Sequence, residues 1–366
     1  MPGPRSRLTV ASARDWIVER CLTATGDGRV GLELELLVSG SPDREALAAM
    51  TFPGGSRVTF EPGGQVELSG PPCAGVGAAV TAMSADLAVL RAHVDVTARG
   101  LDHRPPRRVV HSPRYDAMQA FFDADGPAGR LMMCSTASLQ VNLDLGPPER
   151  WDLVHRISPV LGAAFANSPR ADGTRSARLA TWWDIDPTRT APCRGDWPDY
   201  VLDARVMIIR TEPYLAVTTP LTFRQWIEHG HELGWPDSDD LAFHLTTLFP
   251  PVRARGWLEL RVLDALPDPW WQVASAVTTA LVEDDDAAAV AWAAAERGSE
   301  WWRAAGEQAL SHPGLAAAAQ ACFAAALDAL PRVGADAATV AATEEFVERY
   351  VARGRCPADD ELARVG

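Results

Sequence analysis

The chain has 366 residues, 47% of them hydrophobic, enough to bury a large core as one big domain or as a core with a smaller appendage. Its net charge of −14 and pI near 5.0 argue against nucleic acid or an anionic membrane surface as a partner. All 34 basic residues are arginine, which excludes a Walker-type phosphate loop and a lysine Schiff base.

In chain order, Ser12 to Cys21 reads as a short helix. It leads into VGLELELLV, Val30 to Val38, where Leu32, Leu34 and Leu36 alternate with Glu33 and Glu35. Such alternation marks a strand with one apolar and one polar face, and sets the two glutamates about 6 to 7 Å apart on the polar one. EPGGQVELS, Glu61 to Ser69, predicts a chain reversal, in which Pro62 presets φ and Gly63 tolerates the positive φ that the turn can require. Beyond the turn Gln65 and Glu67 share one face, and Val66 and Leu68 the other. The helical spacing of Val80, Met83, Leu87, Leu90 and Val94 predicts a long helix over Gly75 to Arg99; its opening GVGAAV lacks the third glycine of a dinucleotide loop. Leu101 to Pro113, rich in proline and arginine, reads as a connecting loop. Strand alternation returns at Ser138 to Leu145, where Ser138, Gln140, Asn142 and Asp144 oppose Leu139, Val141, Leu143 and Leu145. Helices are expected over Trp151 to Phe165 and Leu221 to His229, then a fourth alternating strand over Trp257 to Leu263, with Glu259 and Arg261 opposing Leu258, Leu260 and Val262. From Glu283 the sequence turns alanine-rich and helical, with Asp284 to Asp286 as a favourable helix start. The expected division is a core domain over residues 1–282 and a helical subdomain over residues 283–366 packed on it.

Four segments with one aliphatic and one polar face fit an antiparallel sheet, packed on helices by the first face and open to a cleft by the second. Any one of them alone would read as a solvated sheet surface. The polar faces, however, hold almost only Glu, Gln, Asn and Arg. If Glu33, Glu35, Glu61, Glu67 and Glu259 converge, each carboxylate pair at about 4 Å repels by about 4 kcal/mol at an effective dielectric near 20, so the group needs protons or cations. Oxygen-only donors select a hard ion, magnesium or manganese shared with substrate phosphates. Zinc does not fit, because HELGW at His231 has tryptophan where the zinc-protease pattern requires a second histidine, and His155 and His244 read as packing residues. Six scattered cysteines without a CxxC pair read as reduced thiols. The start MPGPRSRLTV has no apolar signal core and no apolar run reaches about 18 residues, so a soluble cytoplasmic protein is expected.

Five separated motifs occur in order: EPGGQVELS, RYDAM (Arg114 to Met118), MMCSTASLQVNLD (Met132 to Asp144), RLATWWDIDPTR (Arg178 to Arg189) and HLTTLFPPVRARGWLELR (His244 to Arg261). Together, over about Val30 to Pro269, the chain resembles the plant-type glutamate-cysteine ligases, and within them the actinobacterial branch that feeds ergothioneine synthesis. The resemblance implies an α+β, glutamine-synthetase-like catalytic fold: a curved antiparallel sheet backed by helices, here with a C-terminal helical subdomain. It also implies that Glu33, Glu35, Glu61, Glu67 and Glu259 hold two or three Mg2+ ions, with Mn2+ as the alternative, on the phosphates of ATP. In a better-known bacterial branch a histidine joins the metals from the third strand; here Gln140 and Asn142 stand in that region.

The reaction so implied phosphorylates the γ-carboxylate of glutamate with ATP, and the cysteine amine then attacks the acyl phosphate. Such chemistry needs positioning and charge neutralisation more than a protein nucleophile. Arg261 and Glu67 inherit catalytic roles, Arg261 toward the transferring phosphate. Arg178 resembles a clamp for the glutamate carboxylate, a task suited to a bidentate guanidinium. Arg114, Tyr115, Gln140, Asn142, Trp182, Trp183, Arg189 and Arg253 are the further substrate-binding candidates, although Arg189 and Arg253 read equally well as structural ion-pair partners. The implied partners are L-glutamate, L-cysteine and ATP, with a monomer compatible with them. Two alternatives share these residues: a ligase of the same fold with another amine acceptor, and a nucleotide-binding protein without turnover. A phosphagen-kinase-like enzyme fits the glutamate-rich sheet poorly.

Overall fold

Alternation in the sequence becomes one eight-stranded antiparallel sheet in the computed structural model, which describes residues 7–23, 26 and 28–365. In chain order the strands are β1 (Arg29–Val38), β2 (Arg57–Phe60), β3 (Val66–Ser69), β4 (Cys73–Ala74), β5 (Val96–Thr97), β6 (Ser138–Asp144), β7 (Ile208–Ile209), β8 (Leu215–Ala216), β9 (Val252–Ala254) and β10 (Trp257–Asp264). The main sheet runs β2-β3-β1-β6-β10-β9, with β4 and β5 also paired to β1, while β7 and β8 form a separate ribbon. Leu32, Leu34, Leu36, Val66, Leu68, Leu139, Val141, Leu143, Leu258 and Leu260 are all buried on one face. Helices Val76–Arg91, Glu149–Ala164 and Trp270–Glu283 lie against β1, β10 and β6 respectively. Each such side chain contributes about 1.5–3 kcal/mol by leaving water, so the apolar face fixes the register of the polar one.

Register places Glu35 opposite Glu67 and Glu33 opposite Gln140, and pairs Asn142 with Gly31 on one side and Glu259 on the other. Between Leu260 and Leu263 the pairing of β10 with β6 shifts, a bulge that re-aims the chain at Arg261. The turn ahead of β3 differs from expectation in one residue. The positive φ, +89°, belongs to Gly64, whereas Gly63 is required for close approach: a Cβ there would lie 2.1 Å from the Cys134 carbonyl oxygen.

The helix expected to reach Arg99 ends at Arg91, because the chain must turn back for β5 to pair with β1 through Thr97 and Val96. Several helices fall where none was expected; Pro113–Asp125 and Ala128–Ser135 matter most here, because both wall the site. Pro113–Asp125 is capped by Ser112, whose side chain accepts from the Tyr115 amide, with Pro113 in the first turn. At the C-terminal end Asp284 caps helix Asp285–Ala294, as its position predicts. The helices beyond share the main core: Phe346 meets Phe165 and Trp270 at ring distances of 4.9 and 5.3 Å. Among the described residues no helix is long and apolar enough to cross a membrane.

Candidate active site

The polar face of the sheet floors a cavity of about 250 Å3, walled by helices Pro113–Asp125, Ala128–Ser135 and Ala177–Trp183 and by the segment before β9. Glu35 from β1, Glu61 from the turn and Glu67 from β3 each bring a carboxylate oxygen to within 4.8 Å of the others. Glu33, Gln65, Gln140, Arg114, Tyr115, Arg178, Trp182, Arg253 and Arg261 line the same space.

Hydrogen bonds hold the carboxylates of Glu33, Glu35 and Glu67. The Ser138 amide and Gln140 Nε2 donate to Glu35 at 2.7 and 3.1 Å. Thr59 Oγ1, on neighbouring β2, and Ser69 Oγ, two residues along β3, donate to Glu67 Oε1 at 2.8 and 2.9 Å. Asn142 Nδ2 donates to Glu33 at 3.1 Å. Gln65 fixes the hairpin to the chain ahead of β6, its Nε2 donating to the carbonyls of Met133 and Thr136 at 3.3 and 2.8 Å. Burial, reinforced by neighbouring carboxylates, raises Glu33 to about 7 and Glu61 to about 8, and raises Glu35 as well. A crowded cluster of acids, with Glu61 raised enough to keep its proton at neutral pH and only oxygen donors on offer, fits a hard divalent cation, whose charge would displace that proton.

Glu259 is in a different electrostatic state. Burial alone would raise it, but Arg253, Arg261 and Arg255 pull its carboxyl down to about 2. Arg253 binds it through both Nε and NH2, Arg255 NH1 approaches at 3.3 Å and Arg261 NH1 at 3.4 Å. Arg261 NH1 also donates to Gln140 Oε1, while its buried Nε has no partner among the described residues. Arg178 is buried and donates from NH2 to the Arg261 carbonyl at 2.7 Å; among the described residues its NH1 has no hydrogen bond and lies 3.8 Å from Asp264.

Arg114 donates to the hydroxyl and carbonyl oxygens of Thr246, and Tyr115 OH reaches the Phe60 carbonyl at 3.4 Å. Four predicted residues do not line the cavity: Asn142 and Glu259, paired across β6 and β10 beside it, and Arg189 and Trp183, which lie elsewhere. The guanidinium of Arg189 is fully buried against Asp186 and the carbonyls of Thr247 and Arg205, and Trp183 packs edge-on against Trp302. Met118, Met132, Met133, Thr246, Phe249 and Arg255 line the cavity without having been singled out. All lie within the ordered motifs, the one signal that could have drawn them in.

Residues 29–365 match the family described as Glutamate-cysteine ligase family 2. Proteins named Glutamate–cysteine ligase EgtA are similar along nearly the whole length. The one from Mycobacterium tuberculosis (strain ATCC 25618 / H37Rv) is 39% identical over 97% of this chain and 90% of the relative. That from Mycolicibacterium smegmatis is 39% identical over 92% and 90%. The chloroplastic glutamate–cysteine ligase of Arabidopsis thaliana is 30% identical over 58% of this chain and 46% of the relative. On the family match and these relatives together, the chain belongs to glutamate-cysteine ligase family 2.

Proposed function

We propose that this protein is an ATP-dependent ligase that joins the γ-carboxylate of L-glutamate to the amine of L-cysteine, giving γ-glutamylcysteine for ergothioneine synthesis. The observation that carries the reading is the meeting of Glu35, Glu61 and Glu67 within 4.8 Å, in one cavity with Arg178 and Arg261, on a chain of this family. Glu35, Glu61 and Glu67 would hold a divalent ion, Mg2+ by its oxygen donors, with Glu33 and Glu259 completing two or three positions. The ion would neutralise charge on the phosphates of ATP and help orient them.

The protein's own groups divide the remaining work. Arg261, fixed by Gln140 and Glu259 on one edge, keeps Nε–H for an oxygen of the transferring phosphoryl group, where charge develops. Arg178, anchored through NH2, presents NH1 to the carboxylate of bound glutamate. The acyl phosphate formed on glutamate places a good leaving group on carbon, and the cysteine amine displaces phosphate from it. Met118, Met132 and Phe249 restrict water around that carbon. Arg189 serves as a structural ion-pair partner of Asp186, and Arg253 chiefly as the partner of Glu259. The unpaired cysteines and the small charged substrates support a cytoplasmic location.

The test is phosphate release from ATP with Mg2+ and glutamate across a panel of amines. ADP and phosphate should appear only with all components present, cysteine being the best acceptor. Equal turnover with ammonia or with every small amino acid would remove the cysteine assignment and leave a ligase of another acceptor.

A further inference from the structure

On the far side of the Glu61–Gln65 turn lies a second cavity of about 320 Å3. Its walls are Gly63 and Gly64 of the turn, the segment after β1 that ends in Arg44, and the loop of residues 101–113. Arg44, Arg104 and Arg107 line it, with Asp102 as the single carboxylate among the lining residues. Asp102 is already committed to Arg104, which bonds it from Nε at 2.8 Å and NH2 at 2.6 Å and also reaches the Val38 carbonyl. Arg44 meets only the Val109 carbonyl, at 3.3 Å, and among the described residues no carboxylate pairs with Arg44 or Arg107. Asp43 and Glu45 flank Arg44 in sequence, but neither lines the cavity, and Asp43 is occupied in capping its own helix. Two uncompensated guanidiniums therefore share one concavity in a protein of net charge −14.

We propose that this cavity binds a small dianion, carboxylate- or phosphate-bearing, between Arg44 and Arg107. Guanidinium forks suit both planar carboxylates and phosphate oxygens, and a dianion matches the two unpaired charges. The cavity is also mechanically tied to the acidic cluster. The amides of Val109 and Val110 both donate to the Pro62 carbonyl, at 2.8 and 3.0 Å, so the loop that carries Arg107 holds the turn that carries Glu61. Arg44 grips that loop at Val109. An anion that draws the two arginines together stiffens the turn and so the placement of Glu61, a regulatory consequence that rests on the ligase reading; binding itself does not.

The experiment is calorimetric titration of the metal-free full chain with inorganic phosphate and, separately, with glutarate, at ionic strength held constant with chloride. At least one anion should bind with a stoichiometry of one, and at least tenfold more weakly to R44Q/R107Q. R44K/R107K, which keeps the charges, should retain most of the affinity, and Arg261→Ala all of it. Which of the two probes binds more tightly identifies the head group. Hydrogen exchange across residues 101–113 should slow when the anion is bound to the wild type and not in R44Q/R107Q. No binding by either anion, unchanged affinity in R44Q/R107Q, or loss of binding in Arg261→Ala would each overturn the site. Failure of the amine-panel assay with success here removes only the ligase reading.

Discussion

Replacing Glu61 by glutamine should stabilise the metal-free protein while removing its response to magnesium. Glu35, Glu61 and Glu67 lie within 4.8 Å of one another, so each ionised pair repels by about 3.5 kcal/mol at an effective dielectric near 20. The protein relieves this by holding protons, and burial with that repulsion raises Glu61 to about 8 from an ordinary 4.5. A carboxyl whose folded pKa is raised favours the folded state fully below the unfolded value, and this contribution is lost as pH rises through the folded value. From pH 4.5 to 7 the wild type therefore gives up about 3 kcal/mol of that contribution, an upper bound because Glu61 keeps some access to the cavity. Glutamine has nothing to titrate and pays about 1 kcal/mol for an imperfectly bonded amide, so the variant should gain about 2 kcal/mol at pH 7 in EDTA. Chemical denaturation in EDTA and in excess Mg2+ measures both effects. In Mg2+ the order should reverse, with the wild type stabilised and the variant nearly unmoved, and turnover should fall at least about 100-fold. A variant that is less stable in EDTA, or that gains as much from Mg2+ as the wild type, would refute the cation site.

Other substitutions separate the remaining roles. Arg261→Lys should lower kcat by about 100-fold to 1,000-fold, because a point charge cannot replace the fork, whereas Arg178→Lys should chiefly raise KM for glutamate; steady-state kinetics giving the opposite pattern would exchange the two roles. His244 is buried with Nε2 bonded to the Val201 carbonyl, and burial lowers it to about 3. A lowered histidine stabilises above its unfolded value of about 6.5 and loses that stability as pH falls toward 3, so the wild type should lose about 3–5 kcal/mol relative to His244→Gln over that range; parallel stability curves for the two proteins would contradict this. Gly63→Ala places a methyl against backbone atoms of Cys134 and should cost about 2 kcal/mol or more, with weakened Mg2+ binding seen by thermal shift; unaltered Mg2+ affinity would show that the turn tolerates displacement.

Much of the sheet was legible because burial on one face imposes a period of two that no other element shares. That period located Glu33, Glu35, Glu67, Gln140, Asn142, Glu259 and Arg261 on one surface. The strand order was not legible: nothing local says that β6 lies between β1 and β10. Short edge strands such as β2 and β9 carry too few residues to show alternation. Helix Trp270–Glu283 is buried on nearly every side, so its sequence lacks the amphipathic stripe by which helices are read. For Pro113–Asp125 the Ser112–Pro113 start signal was present, but the loop reading extended over it. The fate of Arg189 depended on Asp186 and Thr247 meeting it in space, and spacing alone could not choose between ligand and ion-pair partner.

The central strand has one further consequence. Gln140 turns its amino group to Glu35 on β1 and its oxygen to Arg261 on β10, and Asn142 likewise turns its amino group to Glu33 and its oxygen to the Trp257 indole. Both amides are thus polarised in the same direction, across a boundary with acids on one side and the arginines around Glu259 on the other. An amide can donate to one neighbour and accept from the other without carrying charge, so β6 works as an insulator. Among the described residues neither Glu33 nor Glu35 pairs directly with those arginines, which bond Glu259 instead. Glutamate at position 140 would break that separation by bringing a charge within reach of both halves, although it is the smallest change that side chain can undergo.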